Sequence, residues 1–191
     1  VPTVPELVEQ AFANLAARKG FVERPDQHQL ALLLADLIEE KSSGCFEAPT
    51  GLGKSLAALI PAIAHAIANK KRVVIATYTN VLAEQYWRND LPLALSLFLE
   101  DGVALSSIGQ ASFLLGIQAR MLMGRQRYAC LAAMDEHMPD QIDDYRKGAK
   151  LGIETEFRQL IKRPSREITT LWQKVATPPV CPGRLCPVYD E

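Results

Sequence analysis

The chain has 191 residues, 48% of them hydrophobic and 23% charged, with a formal net charge of −1. That length suits one full core, or one domain plus part of another, and the balance is that of an ordinary soluble globular protein. Near-neutral charge excludes a general basic coat, the longest apolar run is too short to span a bilayer, and VPTVPELVEQ is no signal peptide, so a cytoplasmic protein with no membrane partner is expected.

The opening PELVEQAFANLAARKG reads as an amphipathic helix with Val8, Phe12 and Leu15 on one face and Gly20 as its stop. RPDQHQLALLLADLIEEK places Leu30, Leu33, Leu34, Leu37 and Ile38 on one stripe and predicts a second, stronger helix. CFEA then reads as a short strand leading into PTGLGKS, with Cys45 a small buried core residue. LAALIPAIAHAIANKK turns helical, with Pro61 expected to kink it. The β-branched run RVVIAT (72–77) reads as a buried parallel strand, and TNVLAEQYWRND as a helix capped by Thr79 or Asn80. Strand, loop, helix, strand, helix predicts an α/β fold with a parallel sheet.

Beyond about residue 124 the chain becomes charged and helical, without a convincing strand. Lys and Arg number 10 against 12 acidic residues over 1–124, but 10 against 8 over 125–174. Arg125, Arg127, Arg146, Lys147, Lys150, Lys162, Arg163 and Arg166 could face a phosphate backbone; a solvated helical surface is the better reading of charge alone. Val1 in place of an initiating methionine suggests a segment of a longer chain.

The most informative stretch is CFEAPTGLGKSL, residues 45–56. Backbone N–H groups in a glycine turn at a helix start form a nest for phosphate oxygens. Ala48, Pro49, Thr50, Gly51, Leu52 and Gly53 would form that turn around ATP. Lys54 would reach the β- and γ-phosphates, and the Ser55 hydroxyl would bind Mg²⁺. The general pattern has glycine at position 48, where this chain has Ala48.

The four cysteines are Cys45, Cys130, Cys181 and Cys186, and in a cytoplasmic chain a metal or catalytic role outweighs a disulfide. Spacing alone leaves a cluster, a zinc site with His137, and inert thiols equally open.

Taken together, RPDQHQLA (24–31), FEAPTGLGKS (46–55), VVIATYTNVLAEQ (73–85) and GRQRYAC (124–130) resemble, in order, motifs of the DinG/XPD family, the iron–sulfur branch of the superfamily 2 DNA helicases, and its DinG side most closely. The resemblance implies that residues 1–124 are the first part of a RecA-like motor domain and 125–191 most of an inserted, mainly helical cluster domain. It implies that Arg24 and Gln27 belong to the motif before the phosphate loop, with Gln27 reading the adenine, and that Thr77, Thr79 and Asn80 lie near DNA. It further implies that Cys130, Cys181 and Cys186 are three of the four ligands of a [4Fe–4S] cluster. Tyr86 and Trp87 could stack on bases, although at helical spacing they read as core.

No Asp-Glu-x-His stretch follows the motif at 73–85; DEH at 135–137 lacks a preceding apolar strand. This segment alone should therefore hydrolyse ATP negligibly. By the resemblance, the expected function is part of an ATP-dependent helicase moving 5′ to 3′ on single-stranded or forked DNA, as a monomer. A P-loop protein with a zinc-bound or redox regulatory insertion, or a binding module with a vestigial nucleotide site, are the alternatives.

Overall fold

The computed structural model describes residues 2–22, 24–99, 107–182 and 185–186. The chain divides into two compact units, Val1–Met121 and Leu122–Glu191, each with its own apolar core.

In the first unit, α1 spans Val4–Ala16, α2 Pro25–Glu40 and α3 Lys54–Asn69. Thr3 and Glu6 close a reciprocal capping box at the start of α1: Thr3 Oγ1 accepts from the Glu6 N–H at 3.3 Å, and Glu6 accepts from the Thr3 N–H at 2.8 Å. Val4, Val8, Ala11, Phe12 and Leu15 bury the predicted face of α1. Then α2 departs from expectation. Its buried stripe is Gln27, Ala31 and Ala35, whereas Leu33 is 44% exposed. Small side chains let helices approach closely, and α2 packs mainly against α3, where Ala57 and Ala64 are fully buried. Through Pro61, which is buried, α3 stays one continuous helix.

After α3 come α4 (Asn80–Gln85), a π-helical turn (Tyr86–Asp90), α5 (Leu91–Ser96) and α6 (Ile108–Leu115). The π turn has a local cause. Pro92 has no N–H to return to the preceding turn, and the Leu91 N–H instead reaches the Tyr86 carbonyl five residues back. Tyr86 packs on the unit's core, as its spacing suggested.

The expected parallel sheet is not there. Among the described residues no strand forms; residues 43–49 and 71–77 lack regular structure. Val74 is 81% exposed and Cys45, expected in the core, is exposed. A β-branched run sets a preference for extended backbone, but ladder hydrogen bonds must come from another segment. In this unit the apolar area is buried helix on helix instead.

In the second unit a 3₁₀ turn at Arg125–Arg127 precedes α7 (Leu131–His137), α8 (Pro139–Gly148), α9 (Glu154–Leu160) and α10 (Ser165–Val175). Isolated antiparallel bridges join Tyr128 to Ile153 and Ala129 to Ala176. Phe157, fully buried, stands between Tyr145 and Trp172, with ring centroids 5.8 and 5.2 Å away. Two carboxylates hold the loops. Glu156 accepts from the N–H groups of Lys150, Leu151 and Gly152 at 3.2, 2.8 and 2.9 Å, and Glu154 bridges Arg127 and Arg158.

Tyr145 is 2% exposed and its hydroxyl has no hydrogen-bond partner among the described residues. Burial first, and the Glu156 carboxylate second, push its pKa from 10.0 up to about 12. Because the folded value lies above the unfolded one, the neutral phenol's contribution is complete below pH 10 and is lost as pH rises toward 12. Tyr145→Phe should keep the parent's stability at neutral pH, since no hydrogen bond is broken. It should also lack the parent's additional alkaline loss, read as the difference between the two thermal-melt profiles across that window.

Candidate nucleotide site

The loop between residue 48 and α3 is built by two glycines. Gly51 has φ +86° and Gly53 φ +89°, both in the left-handed region that a side chain disfavours. At Gly53 a second constraint applies, because an added Cβ would fall on the Gln27 amide. Gly53, the N-cap of α3, has no side chain to offer, and among the described residues no side-chain hydrogen bond caps the first-turn N–H groups, beginning with Lys54. A sixteen-residue helix with such an N-terminus favours an anion.

Three side chains hold the loop's carbonyls. Lys54 Nζ donates to the Ala48 and Pro49 oxygens at 2.7 and 3.1 Å. Arg24 Nη1 donates to the Gly51 oxygen at 3.0 Å, and Gln27 Nε2 to the Gly53 oxygen at 2.8 Å. Thr50 and Leu52 complete the turn, and Ser55 lies in the first turn of α3. The segments carrying Arg24 and Gln27 and the phosphate-type loop are thus brought together in one unit. Neither residue's bond to this loop was foreseeable from its local motif; the signal available was the small-residue stripe Gln27, Ala31, Ala35, which marks the face of α2 turned to α3.

Elsewhere the placements are these. Thr79 caps α4, its Oγ1 accepting from the Leu82 N–H at 3.2 Å, while Thr77 Oγ1 donates to the Thr79 oxygen at 3.1 Å. Asn80 opens α4. The DEH residues 135–137 are exposed on the last turn of α7. Part of the basic stretch is tied up internally, Arg127 by Glu154 and Arg163 by Gln141.

Cys130 is the N-cap residue of α7, its N–H bonded to the Val175 oxygen at 2.7 Å. The Thr177 N–H in turn bonds the Tyr128 oxygen at 2.8 Å, so the run leading to Cys181 is anchored beside the one holding Cys130. Nonetheless, no group of three or more His, Cys, Asp or Glu residues is disposed to hold a metal among the described residues.

A family profile described as DEAD/DEAH box helicase matches residues 24–94, the span that contains Arg24, Gln27, the loop and Thr77–Asn80. The chain is 29% identical over 137 residues to the 3′-5′ exonuclease DinG of Bacillus subtilis, covering 72% of this chain and 13% of that protein. It is 27% identical over 186 residues to the ATP-dependent DNA helicase YoaA of Haemophilus influenzae, covering 91% and 26%. To the ATP-dependent helicase DinG of Mycobacterium tuberculosis it is 35% identical over 129 residues, covering 68% and 17%. The chain is DinG-like. It spans between 13% and 26% of the length of these DinG-like relatives. No solved structure matches it. No helix among its described residues is long and apolar enough to cross a membrane.

Proposed function

We propose that this chain supplies the nucleotide-binding part of an ATP-dependent DNA helicase. The observation that carries the reading is the loop at residues 48–55, with its two left-handed glycines and uncapped α3 N-terminus, lying inside the helicase-matching span. ATP would lay its β- and γ-phosphates over the N–H groups of Gly53, Lys54 and Ser55. Lys54 would exchange the Ala48 and Pro49 carbonyls for phosphate oxygens, and Ser55 would carry Mg²⁺ on its hydroxyl. Arg24 and Gln27 would lie at the edge of this site.

Residues 1–124 would serve as part of the motor and 125–191 as an inserted domain. The DNA partner would be single-stranded or forked, tracked 5′ to 3′ by a monomer in the cytoplasm, with Thr77, Thr79 and Asn80 close to its backbone. Tested on the full-length protein, ATP and Mg²⁺ should drive unwinding of a duplex bearing a 5′ single-stranded tail. Unwinding from a 3′ tail only would refute the polarity, and none from either tail would refute the helicase.

Cys130, Cys181 and Cys186 are proposed as thiolates for a [4Fe–4S] cluster on the family likeness alone. Thiolates are what such a cluster requires as ligands to its irons. The expected result is about four irons and four sulfides per full-length chain, falling on Cys130→Ser. Zinc in place of iron would favour a regulatory metal insertion, and neither metal would leave the cysteines without this role.

A further inference from the structure

Gln27 stands in the first turn of α2 and is only 2% exposed. A buried amide is tolerated when it is hydrogen-bonded, and its partner here is the Gly53 carbonyl, 26 residues further along the chain. The same oxygen accepts the Ala57 N–H at 3.2 Å, the first intrahelical bond of α3. One oxygen therefore both starts α3 and ties it to α2.

The consequence lies in the peptide plane. The Gly53 carbonyl and the Lys54 N–H belong to one peptide group, and no peptide bond among the described residues is cis. In a planar trans peptide the C=O and N–H point in opposite directions. Fixing the oxygen on Gln27 therefore aims the Lys54 N–H away from α2, outward from the helix end where an anion would sit. The collision that a Cβ on Gly53 would make with the Gln27 amide shows how closely the two residues fit.

We infer that Gln27 is a positioning residue for the phosphates, acting through the Gly53–Lys54 peptide whatever base the nucleotide carries. The inference rests on the nucleotide-site reading and goes beyond a base-reading role. Reading an adenine edge with two hydrogen bonds needs an amide that a base can reach; here one of its two N–H groups is given to a backbone carbonyl and the residue is only 2% exposed.

The test compares the parent chain with Gln27→Met, which keeps the side chain's length and removes the donor. Binding of ATP, GTP and inorganic tripolyphosphate, each with Mg²⁺, is measured by calorimetry. All three should weaken by a similar factor of roughly tenfold, the loss expected for one hydrogen bond. In ¹⁵N–¹H spectra the Lys54 amide should shift while those of Ile60 and Leu95 stay in place, which distinguishes a local effect from a loosened core. If Gln27→Met does not fold, Gln27→Asn makes the same comparison, because its amide is too short to keep the bond. Weakening of ATP alone, or of none of the three, overturns the inference. A parent that binds none of the three overturns the nucleotide-site reading, and the inference with it.

Discussion

Lys54→Ala should abolish nucleotide-driven unwinding by the full-length protein and weaken ATP binding by roughly a hundredfold or more. The size follows from the chemistry: a charge-assisted contact to phosphate is replaced by nothing, at a cost of about 3 kcal/mol. The fold should be indifferent. Lys54 is exposed at the first position of α3, and alanine is a better helix former than lysine. What the free protein loses is the pair of bonds from Nζ to the Ala48 and Pro49 carbonyls, both in the loop itself. A thermal melt should therefore change little while binding collapses. Lys54→Arg should recover only part of the binding, since a planar guanidinium cannot take the compact ammonium's position between phosphate oxygens. A Lys54→Ala protein that binds ATP as the parent does would sink the assignment of this loop.

The largest stability effect is expected in the other unit. Phe157→Ala should cost about 3–5 kcal/mol, the range for removing a fully buried aromatic ring. Phe157 is 0% exposed and touches both Tyr145 and Trp172, so its loss opens a cavity and breaks two ring pairs together. A unit of the size of Leu122–Glu191 carries only about 4–10 kcal/mol in total, so much of its folded population should disappear. Limited proteolysis should then cut within α7–α10, while α1–α3, with a separate core, stays resistant. With Trp87 replaced by Phe, Trp172 fluorescence should report the same unfolding alone. Loss of less than about 1 kcal/mol would show that the aromatic cluster does not organise this unit.

How much of this was legible in the sequence depends on whether the deciding partner is near or far along the chain. The helices α1, α2 and α3 could be read because the 3.6-residue apolar pattern acts within a turn or two. The face that α2 buries was missed. A leucine stripe is the stronger hydrophobic signal, yet the close approach to α3 selects Ala31 and Ala35 and leaves Leu33 in solvent. The strands at 45–48 and 72–77 failed for a related reason: their composition is right for extended backbone, but pairing is a property of two segments. At the site, the glycines and Lys54-Ser55 announced the loop because the loop's geometry is local. The hydrogen bonds from Arg24 and Gln27 span 27 and 26 residues, and their one trace was indirect, the small-residue stripe of Gln27, Ala31 and Ala35 on α2. The cysteines show the same limit, since spacing supplies ligand types but not their convergence.

The loop at residues 48–55 is proposed to receive the phosphates of ATP. A crystal structure of the chain with a non-hydrolysable ATP analogue and Mg²⁺ tests it most directly. The triphosphate should lie over the N-terminus of α3, with Lys54 Nζ moved from the Ala48 and Pro49 oxygens onto phosphate and Gln27 still bonded to the Gly53 carbonyl. Phosphates bound elsewhere, or Lys54 unmoved from those carbonyls with nucleotide present, would contradict it.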